Sequence, residues 1–120
     1  MSRIYHIVPR SVWETVAGVS DPGYSGVSDP GYSSDSLAGE GFIHCSYQDQ
    51  VARVANSVYR DQADLLVLCI DTERLSSPVR DEDPGIGQRF PHVYGPIDRA
   101  AVAEVRPLVR GTDGEWVFSG

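Results

Sequence analysis

Residues 65–70 read Leu-Leu-Val-Leu-Cys-Ile, an unbroken apolar run with an aspartate at each end, Asp64 and Asp71. Successive side chains of a strand point to opposite sides, so a short run with no polar alternation fits a central strand covered on both faces. A chain of 120 residues is long enough to cover such a strand within one domain, spanning 1–120.

The segments around it supply candidate partners. Arg3 to Val8 alternates, with Ile4, His6 and Val8 on one face and Tyr5 and Ile7 on the other, and Pro9 ends it. Ser11 to Glu14 matches a capping box, which predicts a short helix to about Ala17. GFIHCS, residues 41–46, reads as a second strand. Ser46 to Asp49 then caps a helix with Tyr47, Val51, Val54, Ala55 and Val58 on one stripe.

Pro78-Val79-Arg80 starts a more exposed strand, and Asp81 to Gly87 reads as an acidic, glycine-rich surface loop. Phe90 to Pro96 is a compact segment stiffened by Pro91 and Pro96, with His92 and Tyr94 on the same side where it is extended. Ala101 to Arg106 and Glu115 to Phe118 read as late strands around a turn at 111–114. About six strands with two early helices predict a compact α+β domain, not a doubly wound βαβ fold. GVSDPGYS occurs twice in tandem, at 18–25 and 26–33, and its Asp-Pro-Gly turns read as a duplication inside an exposed loop. A lid carrying Tyr24 and Tyr32 is the functional alternative.

Composition narrows the chemistry. The formal charge is −7, and an acidic surface repels a phosphate backbone, which disfavours non-specific nucleic-acid binding. No apolar run approaches the ~20 residues of a membrane span, and the start of the chain lacks a secretory signal, so the cytoplasm is expected. The ten basic residues are all arginine; without lysine, Schiff-base and P-loop mechanisms are excluded. Cys45 and Cys69 lie in apolar strand-like runs without metal spacing and read as buried thiols.

All three histidines stand in strand-like company: Ile4-Tyr5-His6-Ile7-Val8, Phe42-Ile43-His44-Cys45 and Phe90-Pro91-His92-Val93-Tyr94. A half-buried ring is costly unless hydrogen-bonded, and three such placements point to a shared site. A zinc-dependent hydrolase built on His6, His44 and His92, with Glu82, is one alternative. The absence of HxH or HExxH spacing argues against it, and no metal is expected. Alternation sends Cys45 to the face opposite His44, away from a Cys–His pair.

The segments IYHIV, SLAGEGFIHCS, VARVAN, DLLVLCID, VRDE and RFPHVYGPI together resemble the bacterial domain-of-unknown-function family 952 (DUF952), over roughly residues 3–108. The doubled GVSDPGYS departs from the family's shorter connection. That family is distantly similar to the ADP-ribosyltransferase superfamily. The resemblance implies two small sheets with NAD, as a substrate, or a related nucleotide between them. It further implies a ribose-binding role for His6 in its Tyr5-His6 pair, a second-strand histidine at His44 and a late glutamate at Glu82. The expected enzyme is a nucleotide-dependent transferase or glycohydrolase, with a non-catalytic nucleotide or phosphorylated-ligand binding module as the alternative. Its candidate catalytic residues are His44, Glu82 and His92. Its candidate ligand-binding residues are His6, Ser46, Arg89 and Tyr94, with Arg53 a second choice for a phosphate fork.

Overall fold

The computed structural model describes residues 2–18 and 35–118. The doubled GVSDPGYS lies outside them, apart from Gly18. The apolar run forms β3 (Leu65–Asp71), the middle strand of an antiparallel sheet between β1 (Arg3–Pro9) and β6 (Val102–Pro107). Leu65 to Ile70 are all buried, because each face of the strand meets a different layer. On one face Leu66, Leu68 and Ile70 pack with Ile4 and Val8 against Ile43, Cys45 and Val93. On the other, Leu65, Val67 and Cys69 pack with Tyr5 and Ile7 against Val51 and Ala55 of a helix at Val51–Val58. Each fully buried Leu, Ile or Val contributes roughly 1.5–3 kcal/mol.

Two helices precede that one: α1 (Arg10–Gly18) and α2 (Asp35–Glu40). The first begins at Arg10, so Ser11 sits inside its first turn and not ahead of it. The third, α3 (Val51–Val58), follows a 3-10 turn at Gln48–Gln50. Here Gln50, not Ser46, provides the cap: its Oε1 accepts the Tyr47 N–H at 2.9 Å and its Nε2 donates to the Arg89 carbonyl at 2.8 Å. Of the expected apolar stripe, Val51 and Ala55 are buried and Val54 partly so, while Tyr47 and Val58 are exposed. No helix among the described residues is long and apolar enough to cross a membrane.

The second sheet holds β2 (Ile43–His44), β5 (Phe90–Val93) and β4 (Val79–Glu82), with β5 in the centre. Two readings are corrected here. Asp81 and Glu82 belong to β4, so the acidic loop begins only at Asp83. As an edge strand, β4 leaves its charges at the surface, which is why the run looks like a loop in sequence. The Phe90 segment is a central strand in spite of Pro91.

Pro91 is tolerated because of where β2 ends. The Cys45 N–H donates to the Pro91 carbonyl at 3.1 Å, and proline has no N–H to return, so the ladder cannot continue past this point. The next residue crosses to the first sheet. Ser46 and Tyr5 exchange two backbone hydrogen bonds, of 2.8 and 2.6 Å. The crossing is locked by His6, whose Nδ1–H donates to the His44 carbonyl at 2.6 Å.

The last strand region forms a small ribbon, β7 (Val109–Arg110) with β8 (Trp116–Val117), instead of joining β6. The Asn56 side chain clamps both backbone groups of buried Trp116, accepting at 2.7 Å and donating at 3.1 Å, and so fixes the ribbon on α3. The described residues thus form a compact α+β fold: six strands in two three-stranded sheets, plus this ribbon.

His6 is 6% exposed, and burial holds its pKa down to about 4, against 6.5 for a free ring. In the unfolded chain it takes up a proton between those values and in the folded chain it does not, so stability falls as pH drops from 6.5 to about 4. The loss expected from this residue is on the order of 3 kcal/mol. Denaturant unfolding measured across pH 4–7 should show this slope in the native chain and lose it in His6→Asn, which keeps a donor near the Nδ1 position. At pH 7, His6→Ala should cost about 2–4 kcal/mol, since it deletes a buried ring and leaves the His44 carbonyl without this donor.

Candidate active site

The pairing of β2 with β5 sets His44 directly opposite His92, and β4 sets Arg80 opposite His92 on the other side. Residues opposite one another across antiparallel strands share a face. Alternation adds Phe42 and Tyr94 to that face and sends Ile43, Cys45 and Val93 into the core.

His92 lies at the centre and is 3% exposed. Its Nδ1–H donates to Oε1 of Glu82 at 3.0 Å, and the Tyr94 hydroxyl donates to the same oxygen. The Tyr94 hydroxyl first, and then His92, hold the Glu82 carboxyl below the usual carboxylate range, while Glu82 in turn pushes the Tyr94 phenol up. Phe42 stacks on His92, with centroids 4.2 Å apart and planes 19° from parallel. The Arg80 guanidinium lies 5.2 Å from the Tyr94 ring centre. With Nδ1 committed to a carboxylate, Nε2 is the ring nitrogen left to act as a base.

His44 carries the complementary arrangement. Its Nε2 lies 2.8 Å from Oε2 of Glu40 and donates to it. Glu40 ends α2, and Gly41, with φ of +89°, makes the left-handed turn that brings this carboxylate beside β2. The His44 and His92 rings meet edge to face at 5.4 Å. Two histidines, each held in a set tautomer by its own glutamate, therefore face each other across one strand pair.

Both histidines border a cavity of about 320 Å³. Ile7, Val54, Val58 and Tyr59 form one wall, and Pro84, Ile86 and Phe90 form the other. Ser46 and Cys45 complete the end occupied by the histidines. Burial pushes the Cys45 thiol far up, leaving it a packed apolar group, not a nucleophile.

Of the residues expected to form the site, His44, Glu82, His92 and Tyr94 are brought together on one face, and Ser46 borders the cavity. His6 stands behind β2, where its Nδ1 meets the His44 carbonyl, and it does not line the cavity. Arg89 donates to the Asp81 carbonyl at 3.0 Å and Arg53 to Gln88 Oε1 at 3.0 Å; neither lines the cavity. Among the described residues, no three of His, Cys, Asp and Glu are grouped to hold a metal ion. Glu40, Phe42 and Arg80 were not among the residues expected to form the site. The signal for Phe42 is the spacing Phe-x-His, which puts its ring on the face of His44, where it meets both His44 and His92.

Fold and site together define a small α+β domain with a two-histidine, two-glutamate cluster whose histidines border a largely apolar cavity. The chain belongs to the DUF952 family, described as a protein of unknown function, whose profile matches residues 7–105. It is similar to the crystal structure of CC0527 from Caulobacter crescentus, with 28% identity over 97% of this chain and 94% of that one and a TM-score of 0.76. The solution NMR structure of CC0527 gives 29% identity over 96% and 91% of the two chains, with a TM-score of 0.75. No curated protein matches this chain significantly.

Tyr94→Phe removes the strongest donor to Glu82, so the Glu82 carboxyl should titrate at higher pH in the variant. Carbon-13 NMR of the side-chain carboxyls, recorded against pH, reads this directly.

Proposed function

We propose that the chain is a small-molecule enzyme of the acid–base type, a hydrolase or transferase in which His92 activates water or an acceptor hydroxyl. The observation that carries this reading is the His92–Glu82 pair. A nearly fully buried imidazole borders the cavity with one nitrogen held by a carboxylate, the arrangement that orients a general base and stabilises the imidazolium it becomes. In the step envisaged, the attacking oxygen passes its proton to His92 Nε2 and forms the new bond, while the leaving group departs with the electron pair of the bond it breaks. His92 Nε2 then returns that proton to the leaving group, and His44, held by Glu40, positions the reacting groups beside it. His6 is a positioning residue that fixes the backbone carrying His44.

A nucleotide substrate such as NAD is one form of this chemistry, with water or a hydroxyl attacking the sugar carbon as nicotinamide leaves. The cavity lies near the lower end of the roughly 300–1,000 Å³ usual for ligand sites. A nucleotide would therefore place only its ring there.

Incubation of the native chain with NAD, followed for nicotinamide release, and a parallel thermal-shift measurement test the reading on its named substrate. The expected result is release with stabilisation, and a loss of about 10²–10⁴-fold in rate in His92→Gln with stabilisation retained. Stabilisation without product in the native chain supports the binding module instead.

A further inference from the structure

The shape and lining of the cavity allow the substrate class of this site to be narrowed; the inference rests on the acid–base reading above. Among the described residues, no arginine, aspartate or glutamate borders the cavity. Its described polar lining is His44, Ser46, His92 and the Tyr59 hydroxyl, beside the packed Cys45 thiol, and the remaining surface is aliphatic or aromatic. An anionic group placed among Ile7, Val54 and Phe90 would lose its hydration with no fixed cation to replace it, a cost of several kcal/mol, whereas an uncharged ring or chain gains by leaving water.

The outer wall carries the same message. Ile86 is 68% and Val58 67% exposed, yet both border the cavity. Large aliphatic side chains at a cavity rim leave apolar surface that a ligand body covers on entry. The Ile86 backbone is held in place for this: the Asp83 carboxylate accepts the N–H groups of Gly85, Ile86 and Gly87 at 2.8, 2.9 and 3.2 Å. Gly85 and Gly87 take φ of +108° and +79°, left-handed conformations that suit glycine, so the loop presents the one side chain between them.

We propose that the part of the substrate seated in the cavity is a compact apolar body without negative charge, which enters between Ile86 and Val58. The polar, reacting end of the substrate is held against His92 and Ser46.

A matched pair of probes tests this on the full chain: methyl benzoate and benzoate, which differ chiefly in charge, titrated at millimolar concentration and followed by the backbone amide shifts of Ser46, Phe90 and His92. The expected result is binding of the ester at least tenfold tighter than that of the anion, weakened at least tenfold by Ile86→Asp and little changed by Ile86→Leu. Equal or tighter binding of benzoate, absence of ester binding up to its solubility, or ester binding that survives both Ile86→Asp and Val58→Asp overturns the proposal. A variant that loses native amide dispersion is replaced by Ile86→Ser, held to the same criterion. The two readings fail separately. Ester preference in a chain that catalyses no proton-transfer reaction leaves the ligand class standing and removes the acid–base role. Turnover abolished by His92→Gln together with anion preference does the reverse.

Discussion

Everything in this molecule that bears on chemistry hangs on one crossing of the backbone. Between Ile43 and Ser46 the chain leaves the sheet centred on β5 and joins the edge of the sheet centred on β3. Pro91 ends the first pairing because it has no N–H, and the reciprocal bonds of Ser46 with Tyr5 begin the second. His6 ties the two by donating to the carbonyl of His44, the last paired residue before the crossing. A carbonyl turned inward at such a corner has no strand partner there, and its burial would be costly without that imidazole.

The site is a consequence of the same corner. Because β2 is short and in register with β5, His44 lies opposite His92. The two glutamates then reach these rings by different routes. Glu82 comes from the neighbouring strand on the same face, and Glu40 comes around the glycine turn that precedes β2. The apolar cavity opens beside the crossing, between Ile7 and α3 on one side and the loop held by Asp83 on the other. The polar cluster and the apolar cavity thus meet at one short strand pair, where His44 and His92 border both.

The parts of this arrangement that were legible in sequence are those set by period. The run at 65–70 announced a strand buried on both faces, and the alternation at 41–46 placed Phe42 and His44 together with Cys45 turned away. Tertiary effects hid the rest. Pro91 marks a stiff segment in sequence, and only the end of β2 beside it lets it sit in a central strand. Asp81 and Glu82 look like solvated loop because an edge strand keeps its charges in water. Glu40 was invisible as a partner of His44, since a spacing of four suggests one helix, whereas here the intervening Gly41 reverses the chain. Val58 fits the core stripe of α3 by spacing, yet it borders the cavity and stays exposed.

Nitrogen-15 NMR of the three imidazoles at pH 8 reads the central claim most directly, because it reports which ring nitrogen carries the proton. The Nδ1–H tautomer is expected for His6 and His92, held by the His44 carbonyl and by Glu82, and the Nε2–H tautomer for His44, held by Glu40. His92 found with its proton on Nε2 would contradict the proposed base, and His6 found with its proton on Nε2 would contradict the lock at the crossing.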